Sequence, residues 1–355
     1  MPPIKQAPVS AATLDAYRAA LARKADKLPT ADIAKATLTP TDLDKKLTGA
    51  NVKFHAEDAA GNKFTFKPYE AGSTNFQRDH FAGTLRAEAG EAVVRVIPQT
   101  LTLPSGQKLE GYVKPKFGKS EELPSDPAKW SDVQRAELLA DAPWAEFLGN
   151  YDLKLDQYAS VALNDDLTQK ALIDGDWDVS LSDYEHPSDL NRFKAFKVGL
   201  AAKNIVPAAP PTQNLMYESY VHGKIDLDFA PMYAAIGRIE ALPEKDIRAA
   251  LAPFIAARFA EGKPFGEYKT GEELVQGVLL RQKTLRTTFQ DFEGALKSER
   301  KHYDERSLPN LKDAKTMIQE DWMHLGNWFV QSPLLGWMNR HSQRKEAEKL
   351  GIKVG

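Results

Sequence analysis

Between Gly149 and Tyr158 the chain reads GNYDLKLDQY. The segment follows a helical run ending at Phe147 and precedes the β-rich run YASVAL, so Asp152 and Lys154 fall on a polar helix-to-strand junction. Such junctions carry catalytic carboxylates as well as plain connections. A second chemical stretch is ALIDGDWD. Ala171, Leu172 and Ile173 form a buried-strand signal, so Asp174 emerges at a strand end, with Asp176 and Asp178 close behind and Gly175 loosening the turn. Carboxylates this close repel unless a cation or solvent intervenes. The choice is therefore between a metal site and a solvated acidic turn. The third stretch is KFTFK, where Phe64 and Phe66 face one way and Thr65 and Lys67 the other. With the phenylalanines inward, Lys67 stands at the polar face, as a binding cation or as an ordinary strand lysine.

The elements that must hold these residues follow from periodicity. Leu14, Tyr17, Leu21 and Leu28 recur near helical spacing behind a possible Ser10 cap, which predicts a helix or two over 1–46. NVKFHA and KFTFK alternate around the turn DAAGN, and Pro68 ends the second strand. A helix is expected over about Phe76 to Ala89, closed by Gly90. AVVRVIP, QTLTL and KLEGYVK, the last two separated by PSGQ, read as further antiparallel strands. KFGKSEELPSDP reads as a polar linker, and Ser131 as the cap of a helix over Asp132–Phe147. A hairpin spans 158–174; beyond about 187 the text is helical, broken at 206–214 and 261–273. The order gives an α+β chain in two segregated lobes.

Composition narrows the classes. The 355 residues hold 47 Lys+Arg against 49 Asp+Glu, a net charge of -2, so no global field points to nucleic acid or an anionic membrane. A hydrophobic share of 42% fits a folded globular protein. The absence of cysteine removes disulfides, thiolate metal sites and cysteine nucleophiles. The seven histidines fall in no metal-binding spacing, and neither a nucleophile elbow nor a Walker A string occurs. No apolar leader or membrane-length run is visible, which makes the cytoplasm the expected compartment, with secretion by a signal-less route as the alternative.

DLKLDQ resembles the catalytic-loop string D-L-K-x-x-N of protein kinases. GNYDLKLDQYASVALNDDLTQKALIDGD resembles the atypical branch, in which GN-x-D-x-x-x-x-N is followed by a strand, a turn and I-D. That branch includes HipA-like, phosphoinositide-kinase-like and Fam20-like kinases. LTGANVKFHAEDAAGNKFTFKP is similar to its first hairpin, QRDHFAGTLRAEAG to its αC helix, and LEGYVKPKFG to its inter-lobe hinge. The resemblance covers about residues 47–180 at motif level. It implies a two-lobed protein-kinase-like fold: a helical extension over 1–46, a β-rich N-lobe with one helix over 47–118, a mostly helical C-lobe over 119–310, and a helical tail over 311–355 packed on the C-lobe.

What the resemblance implies chemically is ATP- and Mg²⁺-dependent transfer of the γ-phosphate to a hydroxyl acceptor, foremost a protein Ser/Thr, achieved by positioning and charge neutralisation. Asp152 becomes the carboxylate that orients the acceptor hydroxyl, and Lys154 a cation facing the γ-phosphate. Lys67 becomes the phosphate lysine, beside Thr65, with Asp79 as its partner and Glu88 as the alternative. Asp79 shares a helix face with Ala82 and Gly83, a small-residue face suited to close approach. Gly49 would admit phosphate near the backbone, and Tyr112 and Val113 would border the nucleotide at the hinge. Gln157, Asp174 and Asp176 become the metal ligands. Gln157 departs from the usual asparagine, and Asp79 from the usual glutamate; both departures keep a nucleotide-binding pseudokinase open. A lipid or small-molecule kinase and AMP transfer remain open on the same fold. The aromatic-rich segment 321–345 reads as lobe packing, with a membrane-surface helix as the competing assignment.

Overall fold

The computed structural model describes residues 9–26, 39–42, 53–69, 73–103, 105–116, 120–150, 153, 157–163, 170–174, 180, 181, 184, 211–260 and 262–306. The chain is α+β and divides into two compact units. One comprises Leu28–Ser73, Arg95–Lys116 and Pro309–Gly355; the other comprises Met1–Lys27, Thr74–Val94 and Phe117–Leu308.

The first unit is built on a five-stranded antiparallel sheet: β1 (Thr39–Asp42), β2 (Phe54–Glu57), β3 (Lys63–Pro68), β4 (Ile97–Thr102) and β5 (Lys108–Pro115), in the order β1-β2-β3-β5-β4. The segment expected to be a helical extension over 1–46 thus contributes a strand at its end. The β2–β3 turn closes on Asp58, whose carboxylate accepts the backbone N–H groups of Ala60 and Asn62, both at 2.9 Å, while Gly61 takes φ 80°. Register then sorts the side chains. Phe54 lies opposite Phe66 and Ala56 opposite Phe64; Phe66 pairs in turn with Val113. These residues, with Leu101, Leu103 and Leu109, form the apolar core of the sheet. Gly111 is obligatory there: a Cβ would lie 2.2 Å from the Lys67 carbonyl oxygen and 2.7 Å from the Phe66 ring.

The second unit is helical around a small sheet. Its helices are α1 (Ala11–Asp26), α2 (Asn75–Glu88), α3 (Asp132–Leu148), α4 (Pro211–Val221), α5 (Ala230–Glu240), α6 (Glu244–Arg258) and α7 (Gly271–Arg306). The predicted hairpin is present as β7 (Tyr158–Ala162) and β8 (Lys170–Asp174). A third strand, β6 (Ser120–Glu122), joins the free edge of β7, from the stretch expected to be a plain linker.

α3 is the axis of this unit and packs on α5 and α7. The Ser131 hydroxyl accepts the Gln134 N–H while the Gln134 side chain accepts the Ser131 N–H, a capping box. The helix ends at Gly149, in the left-handed region at φ 66°, and the Asn150 N–H returns to the Ala145 carbonyl at 2.8 Å.

Three expectations need correction. Ala92–Val96, expected to be strand, is not one; β4 begins at Ile97. Ala92 buries its side chain against Leu21, Val161 and Ile173 of the helical unit, and the half-buried Val94 packs beside it, so packing rather than strand pairing accounts for their apolar character. The break expected over 206–214 ends earlier, because α4 begins at Pro211, where a missing N–H costs a helix nothing. Beyond it the helices also break after Val221 and at Ala241–Pro243, with Gly223 at φ 67° in the first gap. Residues 187–205 and the 321–345 segment lie outside the described residues. Among the described residues no helix is long and apolar enough to cross a membrane.

Candidate functional site

In the sheet unit, β3 alternates as its sequence demands. Phe64 and Phe66 are fully buried in the core, and Thr65 and Lys67 stand on the opposite face. Lys67 is only 6% exposed, an unusual environment for a lysine. Lys67 lies opposite Tyr112, and Thr65 is flanked by His55 and Lys114. Lys114 is also buried, and Lys116 hydrogen-bonds the His55 ring. By register this face carries Lys67, Lys114 and His55 around Thr65 and Tyr112, with Glu57 opposite Lys63 toward one end and Glu110 toward the other.

Tyr112 and Val113, expected at a hinge, lie inside the sheet instead. Tyr112 pairs with Lys67 on one side and Pro98 on the other, and Val113 with Phe66 and Ile97. In a central strand the peptide N–H and C=O groups serve the two ladders, so neither backbone is free for a nucleotide base. Val113 adds its side chain to the core, which leaves the Tyr112 phenol as this pair's contribution to the polar face.

In the helical unit, Asp79 is 3% exposed on α2, whereas Glu88 on the last turn is exposed. Of the two acids considered as lysine partners, only Asp79 is shielded from solvent. The small-residue argument holds at buried Ala82 but not at Gly83, where a Cβ would meet nothing within 4 Å.

The junction between α3 and β7 is anchored at two points. Asn150 is buried just beyond the α3 cap, and fully buried Leu153 gives its carbonyl to the Thr212 hydroxyl at 3.1 Å and the Thr212 N–H at 3.3 Å. Asp152 sits between these anchors in sequence. Gln157 follows, half-buried, immediately before Tyr158, and Tyr158 lies opposite Asp174 in the β7–β8 register. Folding thus brings the backbones of Gln157 and Asp174 to the same end of one hairpin. Gly49, Asp152, Lys154 and Asp176 lie outside the described residues. Among the described side chains no group of three or more His, Asp or Glu forms a metal cluster.

A buried polar network around this hairpin was not foreseen. Asp141 on α3 accepts the Tyr158 hydroxyl at 2.6 Å and faces Arg86 of α2 at 3.1 Å. Gln213 of α4 donates to the Tyr158 oxygen at 2.6 Å. Glu91, just after the α2 cap, binds Arg18 of α1 at 2.7 Å and Arg238 of α5 at 2.8 Å, and accepts the Trp144 indole N–H at 3.1 Å. Burial pushes the Glu91 carboxyl up, but Arg18, Arg238 and Arg86 outweigh it and hold the group below the ordinary glutamate value. Tyr217 moves the other way, raised by burial and by the charge of Asp141. No local pattern marks these residues; the one hint was the placement of a tyrosine at the start of the hairpin.

No family model and no curated protein matches the chain. Among solved structures it is similar to the Helicobacter pylori proinflammatory kinase CtkA, with a TM-score of 0.40 and 11% identity, over 74% of this chain and 99% of that one. It is also similar to the Golgi casein kinase, with a TM-score of 0.39 and 11% identity over 80% and 76% of the two chains. For that kinase with Mn/ADP bound the values are 0.37, 10%, 80% and 78%. Similarity this low carries no weight for what this chain binds or does.

Proposed function

We propose that the chain is an ATP- and Mg²⁺-dependent phosphotransferase that moves a γ-phosphate to a hydroxyl acceptor, foremost a protein Ser or Thr. The observation that carries the proposal is the hairpin register: Asp174 lies opposite Tyr158, and so beside Gln157, at the end of β7 and β8. A carboxylate and a side-chain amide are hard oxygen donors of the kind Mg²⁺ and Mn²⁺ take, and Asp176 is two residues on. The buried Lys67, with Thr65 beside it, suits phosphate oxygens.

In this reading ATP supplies the phosphoryl group and the metal neutralises its charge. Lys67 holds the phosphates. Gly49 admits the phosphates close to the backbone, and Tyr112 borders the nucleotide. Asp152 orients the acceptor hydroxyl and takes its proton late in the transfer, while Lys154 offsets negative charge. The near-neutral chain argues against nucleic acid as the acceptor.

The test is calorimetric titration with ATP and Mg²⁺ or Mn²⁺, followed by turnover with protein and small-molecule acceptors. Metal-dependent nucleotide binding is expected, sharply weakened by Asp174→Asn, and turnover is expected to vanish in Asp152→Ala. Absence of metal-dependent nucleotide binding overturns the proposal. The glutamine at 157 favours one second reading, a pseudokinase, because a longer and looser arm suits the strict octahedral geometry of Mg²⁺ poorly. Binding without turnover across a broad acceptor set would select it. Acceptors gaining AMP rather than phosphate, seen by mass spectrometry, would redirect the reaction to nucleotidyl transfer.

A further inference from the structure

We infer that Tyr158 is a positioning residue for the Gln157–Asp174 strand end, and that helix α1 is the brace that holds it. The inference rests on the phosphotransferase reading of that strand end. The hairpin is gripped on both faces. On one, the Tyr158 hydroxyl is locked between the Gln213 amide and the Asp141 carboxylate, each at 2.6 Å, with the tyrosine only 2% exposed. On the other, Ala159 lies opposite Ile173, and Ile173 and Val161 pack against Leu21 of α1.

The two grips are joined. Asp141 faces Arg86, and Arg86 acts with Arg18 and Arg238 on Glu91. Arg18 belongs to α1, the helix that supplies Leu21. Arg18, Arg86, Glu91, Asp141, Trp144 and Tyr158 all line one cavity of about 40 Å³, so their charges are shared in a confined polar space rather than dispersed in solvent.

The consequence is geometric. A metal ligand serves only within a few tenths of an ångström of its required place, and a strand end is the part of a hairpin most prone to fray. Clamping Tyr158 and Ile173 on opposite faces restricts the two backbones that carry Gln157 and Asp174. α1 thereby acts through Leu21 and Arg18: it sets how well the strand end is held.

The experiment uses the full chain with Mn²⁺ and a non-hydrolysable ATP analogue, following Mn²⁺ by electron paramagnetic resonance. Removing partners that orient metal ligands costs about 10-fold to 100-fold in metal affinity. Tyr158→Phe and Arg18→Ala should therefore weaken Mn²⁺ by about 10-fold or more, with affinity for the metal-free nucleotide unchanged. Arg18→Lys, which keeps the charge, should restore most of the loss. Ile247→Val, a core change in α6, should lower the melting temperature without moving Mn²⁺ affinity, which separates positioning from general loosening. Wild-type affinity for Mn²⁺ in both Tyr158→Phe and Arg18→Ala overturns the brace and leaves the phosphotransferase reading intact. No Mn²⁺ binding by the wild-type chain with nucleotide overturns that reading, and the brace falls with it.

Discussion

Glu91→Gln tests the buried network directly. The Glu91 side chain is 8% exposed and contacts Arg18 and Arg238 within 2.8 Å, with Arg86 near enough to favour its charge. Breaking a buried ion pair by removing one partner costs about 3–5 kcal/mol, because the remaining charge stays buried without compensation. Glutamine keeps one acceptor oxygen for the Trp144 N–H or one guanidinium, which places the expected cost near the lower end, about 3 kcal/mol. For a unit of this size each kcal/mol moves the melting temperature by ~2–4 °C, so a fall of about 6–12 °C is expected by calorimetry at neutral pH. The effect should persist in high salt, since screening acts weakly on buried pairs. The pH dependence has a definite sign. The folded-state pKa of Glu91 lies below its ordinary value of 4.5. Its stabilisation is therefore complete above that value and is lost as pH falls through the lower, folded one. The gap between wild type and Glu91→Gln should shrink on acidification below that point. A neutral-pH difference under about 2 °C, well short of the shift expected from a buried pair, or a gap that widens in acid, would refute the reasoning.

Gly111→Ala should destabilise the sheet unit by about 1–3 kcal/mol or more, as overpacking does, because the new Cβ would sit 2.2 Å from the Lys67 carbonyl oxygen. An unchanged thermal transition would disprove the close approach. Ser131→Ala removes the hydroxyl half of the α3 capping box and should cost about 1 kcal/mol, read from the urea midpoint; no shift would mean the cap is dispensable. Asp58→Ala should speed amide exchange at Ala60 and Asn62, whose N–H groups the carboxylate accepts. Burial raises the Asp58 carboxyl, but the bonds from Asn62 and Ala60 together prevail and lower it beneath 3.8. The wild-type turn should therefore loosen in the same way only as pH falls below that value, and equal exchange rates in the two proteins at neutral pH would contradict this.

Some of the fold and of the site was plain from local pattern. Phe64 and Phe66 alternate with Thr65 and Lys67, and a period of two leaves one arrangement in which the aromatic face is covered. Ser131 and Gln134 stand at capping-box spacing and start α3, and Gly90 and Gly149 adopt the left-handed backbone that closes α2 and α3. The hairpin over 158–174 was legible from its short apolar strands. Where local pattern misled, packing had overridden it: Ala92 and Val94 look like strand residues, yet buried Ala92 and half-buried Val94 pack against a helix and a hairpin.

The sequence by itself determined the β2–β3 and β7–β8 hairpins, the helices α2 and α3, and which face of β3 carries Lys67, because those are matters of neighbours a few residues apart. Only the tertiary structure decided that Glu91 meets arginines 73 and 147 residues away, and that Tyr158 meets Asp141 and Gln213. Those pairings depend on how whole elements pack, and a buried charge finds its partner across the core rather than along the chain.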